Sequence, residues 1–158
     1  MEPRRVRRHR ADLCGPRARA SRPGRLSIPA RRVQLRVGDY EAAARLHDTP
    51  AADAVWQALP LSVPASIWGD EIYADIGVDV VLPDAATDVA EVGDLAIWPP
   101  GRAICIFFGP TPASRGSEPR AASPIAPVGC IEDPDVSALR RVRSGASLTL
   151  EALKEPQS

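Results

Sequence analysis

The chain of 158 residues has only two histidines, His9 and His47, so a histidine-based metal centre or a Ser-His-Asp triad has little to be built from. Its three cysteines, Cys14, Cys105 and Cys130, are odd in number and share no C-x-x-C spacing. That argues against a disulfide framework and against a zinc site, and no metal or other cofactor is expected. No run approaches the roughly 20 continuous apolar residues of a membrane span. Residues 1–30 contain no aromatic side chain. They also lack the roughly 7–15-residue apolar segment of a secretory signal. Reduced thiols and no such signal lead to the expectation of a cytoplasmic protein.

Lysine is almost missing too: Lys154 stands alone against nineteen arginines. The formal net charge is zero, yet residues 1–36 hold twelve arginines against Glu2 and Asp12, a local balance of +10. The other 122 residues therefore carry −10. Two readings of the basic arm compete. It could contact nucleic acid or an acidic surface through Arg4, Arg5, Arg7, Arg8 and Arg10. Alternatively it is a disordered or untranslated stretch, filled with Arg, Ala, Pro and Gly by a GC-rich codon bias. With no aromatics for base stacking the second is preferred, and nucleic acid is not an expected partner. The organisation is then a disordered arm over 1–30, one domain over 31–152 and a tail over 153–158.

What remains reads mainly as short strands. Arg32 to Val37 alternates polar and apolar residues, as a half-buried strand does. Gly38-Asp39 turns the chain, and Tyr40 to Leu46 reads as the return strand, though its three alanines would also suit a helix. Thr49-Pro50 opens a helix, with threonine as cap and proline at the first position. Strands are expected within Ser66–Ile76, at Val78–Leu82, at Asp88–Val92 and at Leu95–Trp98. Pro99-Pro100-Gly101 makes a corner, because proline cannot donate to a ladder. Ala103 to Phe108 is apolar on both faces, so both are expected to be covered, and it is read as the central strand. Residues 109–127, with five prolines, read as a long loop before a strand at Val128–Ile131. Asp133-Pro134 starts a helix through Val136, Leu139 and Arg143. Gly145 takes its left-handed end, and Leu148–Leu150 is the last strand.

Several motifs then resemble a known family. They are Trp68-Gly69-Asp70-Glu71-Ile72-Tyr73, Gly93-Asp94 leading to Trp98-Pro99-Pro100-Gly101, Phe107-Phe108-Gly109-Pro110-Thr111-Pro112, and Val128-Gly129-Cys130-Ile131. Together and in this order they resemble the minimal cyclophilin-like barrels of bacteria and archaea, a small domain of unknown function. The resemblance implies a mainly-β fold: a closed cyclophilin-like barrel of about eight strands with two capping helices. True cyclophilins isomerise X-Pro bonds. Phe108 matches their proline-pocket phenylalanine, or Phe107 if the register slips. Ile106 stands where they have glutamine, their loop tryptophan falls near Ala113 and Ser114, and the region of their catalytic arginine, near Trp68 to Ile76, has no arginine.

No residue is assigned to catalysis. Binding of a small molecule or peptide is expected at an apolar groove formed by Tyr73, Trp98, Arg102, Phe108, Thr111 and Arg120. The alternative is a weak peptidyl-prolyl isomerase. An enzyme acting on a small acid is a third reading, by fold analogy alone. Asp70 and Glu71 could form a carboxylate pair, but neighbours on a strand point to opposite faces, so a turn role is simpler. Asp94 reads as a turn residue. Arg102 could hold an anion at the barrel rim or pair with a surface carboxylate, and Arg115 and Arg120 are similar.

Overall fold

The structure is a computed structural model that describes residues 31–153. Expectations about the basic arm and the last residues lie outside the described residues. Strand β1 (Arg32–Val37) buries Val33, Leu35 and Val37 and leaves the intervening polar residues outward, as its alternation requires. Gly38, at φ +58°, turns the chain into β2 (Tyr40–Leu46). Helix α1 (Pro50–Ala58) begins as its sequence dictates. The Thr49 hydroxyl accepts from Ala52 N at 3.1 Å, Pro50 occupies the first turn, and Ala51, Ala52 and Val55 are buried.

The remaining strands are β3 (Leu61–Pro64), β4 (Ser66–Ile67), β5 (Glu71–Asp75), β6 (Thr87–Val89), β7 (Asp94–Trp98), β8 (Ala103–Phe107), β9 (Arg120–Ile131) and β10 (Ser147–Ala152). The order across the sheet is β3-β10-β1-β2-β9-β7-β8-β5-β4, with β6 also paired to β9. This corrects the expected closed barrel of about eight strands: among the described residues there are ten, and no ladder closes the ring. The two ends of the path, β3 and β4, follow one another in the chain with only Ala65 between them. Ala65 is itself buried, and its N–H donates to Ala146 O, so the chain passes from one edge to the other without a ladder there.

All five residues of β8 are buried, and the two-sided cover is real. Ile104 and Ile106, followed by Phe108, face the main core with Val33, Leu35, Ile72 and Leu95. Cys105 and Phe107 face a second, smaller cluster with Ala90, Ala96, Ala121 and Ile125. The strand lies third from the β4 edge, however; β9 holds the middle of the path.

Other expectations shift for identifiable reasons. The long loop ends at Pro119, because β9 runs through Pro124 and Pro127. A strand tolerates proline at irregularities, and the β7–β9 register shifts between Leu95 and Ala96, the latter opposite Pro127. Val78–Leu82 joins no ladder, and β3, unanticipated, pairs with β10. Pro99–Gly101 forms a 3₁₀ turn at the expected corner. The second helix, α2, is only Val136–Leu139, capped by Asp135, whose side chain accepts from Ala138 N; the cap is not Asp133. Gly145 has the expected left-handed backbone, at φ +93°.

Candidate functional site

The six side chains expected to bind a ligand do not converge. Tyr73 and Trp98 each pack against the smaller cluster around Phe107, and Trp98 Nε1 donates to Ser123 Oγ at 2.7 Å. Phe108 lies in the main core, 2% exposed. Thr111 Oγ1 donates to the Arg120 carbonyl. The Arg120 guanidinium is held by Asp88 at 2.8 Å and Glu118 at 3.0 Å. Arg102 is exposed, in a left-handed conformation after the 3₁₀ turn. The structure thus sets Tyr73 and Trp98 against one cluster, ties Thr111 to Arg120, and places Phe108 in the other cluster.

The described residues also enclose a cavity away from these six. A cavity of about 640 Å³ opens between the start of α1, the 79–87 segment, β7 and β9, and none of those six residues lines it. Its walls include Pro50, Ala51 and Ala54 from the helix, Leu95 and Ala96 from β7, and Ile125, Ala126 and Pro127 from β9. Small side chains dominate, so the elements approach without filling the gap between them. The fourth wall is the segment that was expected to be a strand. It carries Val80, Val81 and Leu82 out of any ladder, and Val81 is 90% exposed. Left-handed residues, Gly77 at φ +70° and Ala85 at φ +59°, flank it.

Two polar residues of the lining are buried: His47 at 7% and Asp94 at 5% exposure. His47 is fixed by its backbone, whose N–H donates to Val128 O at 2.8 Å and whose carbonyl accepts from Arg31 Nη2 at 3.3 Å. Asp94 Oδ2 accepts from Glu91 N at 2.9 Å, so it does serve the turn before β7 while its residue lines the cavity. Asp79 and Asp84 add exposed carboxylates along the 79–87 wall. Sequence reasoning took His47 only as one of too few histidines. Its spacing ahead of the Thr49-Pro50 cap was the available signal.

Asp70 and Glu71 form no carboxylate pair. Asp70 binds Arg140 at 2.9 Å. Glu71 is buried, and its Oε1 has no hydrogen-bond partner among the described residues. Burial pushes its pKa up to about 7, offset in part by the Cys105 thiol beside it. Burial likewise pushes the Cys105 thiol well up, so this free cysteine is not an activated nucleophile. Cys130 is disulfide-bonded, so the expectation of reduced thiols fails there and that argument for the cytoplasm is removed. Among the described residues no group of three or more His, Cys, Asp or Glu is placed to hold a metal, and no helix is long and apolar enough to cross a membrane.

Comparison with known proteins agrees with this architecture. A family model described as cyclophilin-like matches residues 31–151. The solution structure of the hypothetical protein AF2241 from Archaeoglobus fulgidus is similar at a TM-score of 0.66 and 36% sequence identity, covering 78% of this chain and 95% of that one. Among curated proteins, nothing matches.

Proposed function

The chain belongs to the cyclophilin-like family over residues 31–151, and from that premise we propose that it is a binding protein whose cavity takes a small molecule. The observation that carries this reading is the cavity itself. At about 640 Å³ it falls within the roughly 300–1,000 Å³ of small-molecule sites. Its walls are mostly apolar, and a few polar side chains, among them His47, Thr49 and Asp94, stand where they can orient an occupant. Apolar area supplies the affinity in such a site, and the polar atoms supply the choice of orientation.

Mass spectrometry tests it. The full chain is incubated with a cell extract, purified and denatured, and the released small molecules are identified. Wild type is expected to carry a compound that Ala54→Phe does not, because Ala54 lines the cavity and is only half-buried, so a larger ring there fills space without disturbing the core. The same compounds on both proteins, or none on either, would overturn the reading.

A further inference from the structure

We propose that the cavity selects an apolar molecule bearing a basic amine, an inference that rests on the binding function above. Among the described residues, the formally charged side chains of the lining are all of one sign. Asp79 and Asp84 stand exposed on the outer wall and Asp94 is buried at the start of β7, while no described lysine or arginine lines the cavity. Two arginines of adjoining elements are already engaged with carboxylates, Arg31 with Asp53 at 2.8 Å and Arg120 with Asp88 and Glu118. They are not held out toward the cavity as anion ligands.

The wall chemistry turns this sign into selectivity. Low-dielectric surfaces of alanine, leucine, isoleucine and proline focus the field of nearby carboxylates into the space they enclose. An aryl or alkyl body fits against Ala51, Ala54, Ala96 and Ile125, and an attached ammonium can reach toward Asp79 or Asp84 at the opening. A carboxylate on the same body would meet like charges there and would lose its hydration with no cation in return.

Three probes of nearly equal shape separate this proposal from the one it rests on: phenethylamine, 2-phenylethanol and phenylacetate. Each is titrated calorimetrically into the full chain at low salt and at 1 M salt. The expected order is amine, then alcohol, then carboxylate. The amine should bind about tenfold or more tighter than the carboxylate at low salt, a gap of about 1.4 kcal/mol for each factor of ten. Salt should shrink that gap, and so should the double variant Asp79→Asn/Asp84→Asn, whose exposed positions leave the fold intact. Equal binding of all three probes, or a preference for phenylacetate, would overturn the amine selectivity and leave the cavity reading standing. No binding of any probe would count against both.

Discussion

Thr49 and Pro127 are tied together: the Thr49 hydroxyl donates to the Pro127 carbonyl at 3.4 Å while accepting from Ala52 N at 3.1 Å. One oxygen thus both caps α1 and fastens that helix start to β9, and both residues line the cavity. Two of its walls are held at a fixed spacing by this contact. Removing the hydroxyl frees a helix donor and the strand carbonyl together. Thr49→Ala is therefore expected to lower stability by about 1 kcal/mol, measured by urea unfolding, whereas Thr49→Ser retains most of it. An alanine variant as stable as wild type would show that the cap does not secure this corner.

Glu71 makes the fold sensitive to pH in a defined window. Its folded pKa, about 7, lies above its ordinary 4.5 because the side chain is buried. Below about pH 4.5 both folded and unfolded chains hold the proton, and the group costs nothing. From there toward pH 7 the unfolded chain ionises while the folded one does not, so stability falls as pH rises. Above about 7 the folded side chain ionises too, and the loss levels off at about 3 kcal/mol. Glu132 acts in a separate range: hydrogen bonding to Arg32, with Arg45 nearby, holds it below the usual carboxylate range, so its contribution is lost only as pH falls below the ordinary carboxylate pKa. The expected outcome is that Glu71→Gln flattens the decline between pH 5 and 7. An unchanged slope in that variant would assign the decline to other groups.

Prolyl isomerisation is expected at background. A proline-twisting site needs an apolar pocket open to substrate and a donor beside it. Phe108 is 2% exposed within the main core, and the strand Glu71–Asp75 carries no arginine. Losing one well-placed donor alone costs about 10²–10³ in rate, by analogy with oxyanion holes. The check is cis-to-trans relaxation of a short X-Pro peptide with excess protein. An acceleration proportional to protein concentration and abolished by Phe108→Ala would reverse this expectation.

Much of the sheet was legible in the sequence because its signals are local. The alternation of Val33, Leu35 and Val37, the Thr49-Pro50 cap and the Pro99-Pro100 corner each act within a few residues and appear where they were read. The apolar run at Ala103–Phe107 also announced cover on two faces. What was not legible depends on partners distant in sequence. Pro124 and Pro127 look like loop residues until a register shift against Leu95 and Ala96 accommodates them. Val78–Leu82 has the composition of a strand but joins no ladder, and becomes a cavity wall. The cavity escaped sequence reading for the same cause. Alanines such as Ala51, Ala54, Ala96 and Ala126 line it, and an alanine records nothing of the space left beside it. Aromatic residues drew attention to Tyr73, Trp98 and Phe108, which pack against protein.

The most direct test of the account is to map where a small probe binds. Amide shifts of the full chain are followed by ¹H–¹⁵N NMR as 2-phenylethanol is added, for wild type and for Ala54→Phe. The account predicts shifts confined to Ala51, Ala54, Leu95, Ala96, Ala126 and the 79–87 segment, and their loss in the filled variant. Shifts centred instead on Tyr73, Trp98 and Arg102, or shifts that persist unchanged in Ala54→Phe, would contradict it.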